Sequence, residues 1–144
     1  MTHQKLKDIA GGQAVLYVEP DSTVAEAVSK MRARGCHSVL VLRDGMLVGI
    51  FTSGGFFKHV VDAGRDPKTT RVGDVMTANP RCLSGDCQGI DAIRLMQDEK
   101  IRHIVVRGAG DCGYAIVTAA DFPQADLSEM KDELEFERRL WEEM

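Results

Sequence analysis

The feature that most constrains the fold of this chain is an internal repeat. Residues 21–41 and residues 86–106 align without a gap at a constant offset of 65. The identical pairs are Asp21 with Asp86, Ala27 with Ala92, Met31 with Met96, and Val41 with Val106. One extra residue then shifts the offset to 66, which aligns Thr52 with Thr118 and Phe56 with Phe122. Such a repeat predicts two copies of one supersecondary unit.

The first copy predicts a helix, a hairpin and a second helix. Thr23 is suited to cap the first helix, with Glu26 completing a capping box. Apolar residues follow at helical spacing, and Gly35 is a typical stop. The runs SVLVL and LVGIF flank a turn at 43–45 and predict a β-hairpin. A short amphipathic helix with Phe56, Phe57, Val60 and Val61 is predicted from about Gly54 to Gly64.

The second copy predicts the same order of elements. Its helix is expected over residues 88–99, and its strands over His103–Val106 and Tyr114–Val117, joined by the glycine-rich loop GAGDCG. A β-α-β-β-α unit of roughly 60 residues cannot cover both faces of its small sheet. The predicted fold class is therefore α+β, with the two units packed as a pseudo-two-fold pair.

The predicted boundaries divide the chain into a motif pair and a tail. The pair occupies residues 1–125, with motif one at about 5–64, a polar linker at 65–71 and motif two at about 72–125. Residues 126–144 carry eight acidic and three basic side chains and predict an acidic helix with Asp126 as its cap. Its apolar stripe is formed by Leu127, Met130, Leu134, Trp141 and Met144, with Phe136 and Leu140 outside it. A lone helix needs something to pack on: the motif pair, a second subunit or another protein.

Composition argues against several classes of protein. The net charge is −4 and no Lys/Arg block occurs, which argues against a nucleic-acid partner. No apolar run approaches the roughly 20 residues of a membrane span. Because the N-terminus also lacks the apolar stretch of a signal peptide, the predicted location is the cytoplasm. No nucleophile, phosphate-loop or dinucleotide-fold motif is present, so an enzyme is not predicted.

The four cysteines are predicted to be reduced thiols, because none forms a CxxC pair. A metal site is the main rival interpretation, built on Cys82 and Cys87 with Cys36 or His37 from the other motif. Structural zinc sites usually pair ligands two to four residues apart, whereas Cys82 and Cys87 are five apart. No metal site is therefore predicted.

The order and spacing of several segments resemble a tandem pair of cystathionine-β-synthase-type (CBS) motifs over about residues 5–124. These segments are VEPDSTVAEAVSKM, HSVLVLRDGMLVGIFTSGGF, DVMT, IRHIVV and AIVTAADF. The chain is most similar to small stand-alone bacterial CBS proteins. The resemblance implies a non-catalytic regulatory module that binds AMP, ADP, ATP or a related adenosyl compound, with NAD also conceivable, in clefts between the motifs. It also implies a homodimer that acts on some regulated protein.

The resemblance also implies a nucleotide-binding element, G-x-x-T/S-x-x-D. In the second motif Thr118 and Asp121 occupy its last two defined positions, and Ala115 replaces the glycine. A hydroxyl can bind a phosphate oxygen, and a carboxylate can accept from ribose hydroxyls. The family positions around adenine fall on Pro80 and Cys82 and on Ile101 to His103, where Arg102 is also suited to a phosphate.

The first motif departs from this pattern. Thr52 is retained, but Gly55 stands where the ribose carboxylate is expected. Thr52, Gly55 and His37 therefore form the weaker candidate site, and the sequence predicts one good nucleotide site per chain.

Structural roles compete with each of these assignments. Thr118 is suited to cap the last helix of the motif, and Asp121 is favourable in a first helical turn in any case. Arg102 can be solvated surface, and His103 can be packed and hydrogen-bonded at a strand start. The alternative function is accordingly a ligand-free dimerisation or scaffold module whose sites have decayed.

Overall fold

The computed structural model describes residues 4–143 and divides them into two compact units. One unit consists of residues 15–80, and the other combines residues 4–14 with residues 81–143. Each unit has its own small sheet, and the second ends in a long C-terminal helix, so the predicted α+β class is confirmed.

The helices and strands follow one another in this order: α1 (Leu6–Ala10), β1 (Tyr17–Val18), α2 (Val24–Arg34), β2 (Ser38–Arg43), β3 (Met46–Thr52), α3 (Ser53–Phe56), α4 (Val72–Val75), β4 (Thr77–Ala78), β5 (Cys82–Ser84), α5 (Gly89–Glu99), β6 (Ile104–Arg107), β7 (Tyr114–Val117) and α6 (Gln124–Glu143). A π-helical turn, Phe57–Val61, continues α3, and a 3₁₀ turn, Ala119–Asp121, follows β7.

The unit of residues 15–80 is built on a four-stranded sheet in the order β1-β2-β3-β4. β1 runs parallel to β2, and the other neighbours are antiparallel. The predicted hairpin is present, with Asp44 and Gly45 at φ 52° and 80° between its strands. Two successive positive φ values match the right-handed twist of the strands, which explains the Asp-Gly pair at this turn.

The core of this unit follows the predicted helical and strand patterns. The buried residues that form it are Val18, Val24, Ala27, Met31, Val39, Val41, Phe51, Val60, Val72 and Val75. Thr23 Oγ1 accepts a hydrogen bond from the Glu26 backbone N–H at 3.2 Å, which is one half of the predicted capping box. The predicted amphipathic helix is less buried than expected, because Phe57 and Val61 are 65% and 56% exposed.

The second unit is built on a three-stranded sheet in the order β5-β6-β7. β5 is parallel to β6, and β6 is antiparallel to β7. The loop between β6 and β7 places Gly108, Gly110 and Gly113 at positive φ, a conformation that explains its glycine content. The strand predicted to begin at His103 begins one residue later, at Ile104.

The segment that leads each predicted motif belongs to the compact unit that holds most of the other motif. Residues 4–14 were expected to open the first motif, yet α1 contacts β6, β7 and α5, with Leu6 and Ala10 buried. The Gln13 side chain donates to the Ile116 carbonyl at 2.9 Å and accepts from its N–H at 3.2 Å. Since β7 is the edge of its sheet, Gln13 satisfies backbone groups that a further strand would otherwise bind.

The corresponding segment of the second motif behaves in the same way. Residues 72–80 were expected to open motif two, but they belong to the unit of residues 15–80. Val72 and Val75 of α4 are buried in its core, and β4 pairs with β3 through Thr77 and Ala78. The compact units therefore do not coincide with the sequence motifs, because each of these segments buries its apolar side chains in the unit that holds most of the other motif.

The C-terminal helix α6 begins two residues before the predicted cap. The Pro123 carbonyl accepts from the Leu127 N–H at 2.9 Å, so Asp126 lies inside the first turn and is not the cap. Leu127, Met130 and Leu134 are buried, and the helix packs along α5. The predicted stripe ends there, because Trp141 is 76% exposed, and Met144 lies outside the described residues.

Ion pairs join α5 to α6 and α1 to Asp86. Arg94 on α5 pairs with Glu137 on α6 at 3.4 Å, and Lys7 on α1 pairs with Asp86 at 3.1 Å. The Lys7 contact lowers the pKa of the Asp86 carboxyl.

Within residues 4–143, no helix has the length and apolar character needed to cross a membrane.

The repeat supplies a matched test of backbone strain. Gly35 and Lys100 occupy equivalent positions after α2 and α5, and both are left-handed, at φ 63° and 55°. Because a side chain costs about 1 kcal/mol or more in that conformation, Lys100→Gly should raise the free energy of unfolding by about 1 kcal/mol. Urea denaturation measures the change, and Gly35→Lys should lower stability by a similar amount. A lower denaturation midpoint for Lys100→Gly would contradict the assignment.

Candidate functional site

A cavity of about 490 Å³ opens on the unit that holds the second motif. Four predicted site residues line it: Ile101, Arg102, His103 and Thr118. Side chains of α5, the turn after β7 and α6 complete the lining, namely Ile93, Met96, Gln97, Ala119, Ala120, Leu127 and Lys131. The cavity thus combines an apolar wall with hydroxyl, amide, imidazole and cationic groups.

Strand pairing brings the predicted residues together. In the antiparallel pair β6–β7, Ile104 lies opposite Val117. One step further along the same register, His103 faces Thr118. The residues that enter β6 and the residues that leave β7 therefore meet at one end of the sheet, although 15 positions separate 103 from 118 in the numbering.

Thr118 and Asp121 form a capping box around the 3₁₀ turn. The Thr118 backbone N–H donates to Asp121 Oδ2 at 2.7 Å, and the Thr118 hydroxyl donates to the same oxygen at 3.4 Å. Thr118 also lines the cavity, whereas Asp121 is exposed and does not belong to the lining. The structural role considered for this carboxylate is therefore present in the fold, and a role toward ribose would use the same group.

The two remaining second-motif candidates lie apart from the cavity lining. Cys82 belongs to β5, where it pairs with Val105. Burial raises the pKa of the Cys82 thiol, although the nearby Arg107 guanidinium acts in the opposite direction. The thiol is consequently protonated and a weak nucleophile at neutral pH. Pro80 is half-buried in the unit of residues 15–80.

The first-motif candidates also lie close together in their own unit. Thr52 Oγ1 accepts from the Gly55 N–H at 3.1 Å, and the His37 carbonyl accepts from the Ser53 N–H at 3.0 Å. A Cβ on Gly55 would lie 3.5 Å from Thr52 Oγ1, which is an ordinary contact. Space for a Cβ and an ordinary backbone conformation therefore permit a side chain at position 55.

Sequence reasoning missed the contribution of α6 to the cavity. Leu127 and Lys131 are four residues apart and so share one face of the helix. The apolar stripe predicts that Leu127 is a packing residue. The orientation in which α6 packs on α5 places Lys131 at the cavity as well, and the sequence does not predict that orientation.

The described residues give no support to the rival metal site. Across residues 4–143, no group of three or more His, Cys, Asp or Glu side chains is arranged to hold a metal ion. Cys82 is instead packed near a guanidinium, and the sulfur of Cys112 contacts the Tyr114 carbonyl at 3.5 Å.

Comparison with known proteins establishes the family. A family model described as the CBS domain matches the chain twice, over residues 6–62 and 72–122. The chain belongs to the CBS-domain family. A curated relative, the mitochondrial CBS domain-containing protein CBSX3 of Arabidopsis thaliana, is 31% identical over 126 residues. That match covers 83% of this chain and 60% of the relative, so the chain spans less than two thirds of the relative's length.

Solved CBS structures share the fold. A CBS domain protein from Pyrobaculum aerophilum, complexed with AMP, superimposes with a TM-score of 0.75 at 16% identity and covers 89% of this chain and 98% of its own. A CBS-domain protein from Agrobacterium tumefaciens gives a TM-score of 0.68 at 25% identity, with 88% and 98% coverage. The two matches of the family model identify a tandem CBS pair, a type of module that is generally regulatory and non-enzymatic.

Proposed function

We propose that this CBS pair is a regulatory module that binds one adenosine nucleotide per chain in the cavity of the second motif. The observation that carries the proposal is the convergence of Ile101, Arg102, His103 and Thr118 on one cavity. These residues were assigned to the nucleotide by the family pattern, and the fold brings them together across β6 and β7.

The chemistry of the cavity suits a nucleotide. Its volume of about 490 Å³ falls in the range of roughly 300–1,000 Å³ typical of small-molecule sites. Ile93, Met96 and Ile101 supply an apolar surface for a flat base. Arg102 supplies donors for phosphate oxygens. The Thr118 hydroxyl can turn its one O–H from Asp121 to a phosphate oxygen, because the Thr118 backbone N–H still holds that carboxylate.

The carboxylate of Asp121 can serve two purposes at once. Both hydrogen bonds from Thr118 go to Oδ2, and a carboxylate has two oxygens with about four acceptor positions. An exposed Asp121 can therefore hold the 3₁₀ turn and accept ribose hydroxyls with Oδ1. The AMP bound by the Pyrobaculum relative supports an adenosine ligand, with AMP, ADP, ATP and NAD as the compounds to compare.

Assembly and location form part of the same proposal. Phe57 and Val61 expose apolar surface on the turn that ends the first motif, which favours a homodimer formed through this turn with α6 adding to it. The four cysteines are free thiols, which fits a reducing compartment such as the cytoplasm. A nucleotide-dependent change in this dimer would act on a regulated protein.

A second candidate function is a ligand-free dimerisation or scaffold module. One observation favours it: the first motif has Gly55 where a ribose carboxylate is expected, and Thr52 is already used to cap α3.

Binding stoichiometry tests the main proposal. Isothermal titration with AMP should give about one site per chain, and Asp121→Ala should weaken binding at least about tenfold, because charge-assisted hydrogen bonds to ribose are lost. Asp91→Ala is a matched control, since Asp91 forms the capping box of α5 but does not line the cavity. Two equal sites per chain, or AMP affinity that drops equally in both variants, would refute the assignment.

The first motif offers a gain-of-function test. Because a side chain fits at Gly55, Gly55→Asp should create a second AMP-binding event per chain, weaker than the first. Gly55→Asn is the control, since it has nearly the same size without the charge. Titration curves that stay at one site for Gly55→Asp would show that the missing carboxylate is not what limits the first motif.

The dimer is tested at the exposed turn. Phe57→Asp should convert a dimer into a single chain of 15.8 kDa in light scattering, because a buried charge without a partner is costly in an interface. Met46→Asp, at an equally exposed site beside the β2–β3 turn, should leave the dimer intact. A dimer that persists in Phe57→Asp would place the interface elsewhere.

A further inference from the structure

The helix α6 forms one side of the proposed nucleotide cavity. Leu127 is buried and borders the cavity, and Lys131 borders it one turn later. Both belong to a helix that is held on α5 by Met130, Leu134 and the Arg94–Glu137 pair. The position of Lys131 relative to the cavity is therefore set by packing and does not depend on a loop.

The charge of Lys131 is not neutralised within its own helix. Its natural partner at i+4 is Glu135, but Arg139 holds that carboxylate at 2.9 Å. In the described part of the chain, neither Lys131 nor Arg102 forms an ion pair. By contrast, Arg81 pairs with Glu99 at 2.8 Å and Arg94 with Asp91 at 3.2 Å in the same unit.

Two uncompensated cations thus border a single cavity. They belong to different elements, since Arg102 precedes β6 and Lys131 lies on α6. The other basic residues of α6, Arg138 and Arg139, lie beyond the cavity lining. This placement matters in a helix whose charged side chains are mostly acidic, because the acidic groups would otherwise repel an anionic ligand.

We propose that Lys131, together with Arg102, holds the phosphate end of the nucleotide, so that the C-terminal helix selects phosphorylated adenosine compounds over adenosine. The proposal rests on the proposed nucleotide site and adds to it a residue outside the two motifs. A phosphate monoester carries a charge between about −1.5 and −2 at neutral pH. Adenosine fits the same apolar wall but has no phosphate for the two cations to bind. The contacts of Arg102 and Lys131 with phosphate therefore favour AMP over adenosine.

The experiment compares AMP and adenosine by isothermal titration on the full chain. Wild type should bind AMP more tightly than adenosine, and Lys131→Ala should weaken AMP about tenfold while leaving adenosine within about twofold. Lys131→Arg should retain AMP affinity, since it keeps the charge. Arg138→Ala, on the same helix outside the cavity lining, should change neither ligand. The salt dependence of AMP binding should also be smaller in Lys131→Ala than in wild type.

The possible failures are distinguishable. If wild type binds neither compound, the proposed function fails, and the role of Lys131 fails with it. If wild type binds AMP and Lys131→Ala binds it equally well, the nucleotide site stands and the role of Lys131 is refuted. An equal loss of AMP and adenosine in Lys131→Ala would also refute it, because α6 would then support the cavity without contacting phosphate.

Discussion

The antiparallel pairing of β6 with β7 is the interaction on which the candidate site depends. It pairs Ile104 with Val117 and so brings the residues that enter one strand, such as His103, to the same cavity as those that leave the other, such as Thr118. The sheet that contains this pair has only three short strands, so other elements satisfy its edge and pack against it. Gln13 satisfies the backbone of Ile116 at the edge, α1 covers one part, and α6 packs on α5. The cavity lies where residues at one end of the β6–β7 pair meet side chains of α5 and α6.

Much of this architecture could be predicted because it is encoded locally. The capping residue Thr23, the stop at Gly35 and the Asp44–Gly45 turn each act within a few positions of the chain. The repeat predicts the same elements for the second motif, and the family pattern assigns residues 101–103 and Thr118 to one site. Such signals require no knowledge of what packs against what.

The parts that were missed depend on contacts distant in sequence. Nothing near Gln13 indicates that its amide binds a residue 103 positions away. The packed stripe of α6 was too long in prediction, because a helix of 20 residues extends about 30 Å and α5 has only 11 residues, or about 16 Å. Only part of α6 can therefore lie on α5, which is consistent with an exposed Trp141. The place of Lys131 follows from the same packing.

The exchange of leading segments has a consequence for how the chain acquires its structure during synthesis. Residues 15–80 form one unit without a break, so they can assemble as soon as they have left the ribosome. The segment that precedes them is made first, yet its partners β6 and β7 are made only about a hundred residues later. Completion of the second unit therefore closes a long loop of chain that contains residues 15–80. Because those residues are already ordered, the flexible part of the loop is shorter. Early folding of residues 15–80 would in this way lower the entropic cost of bringing α1 to β6 and β7.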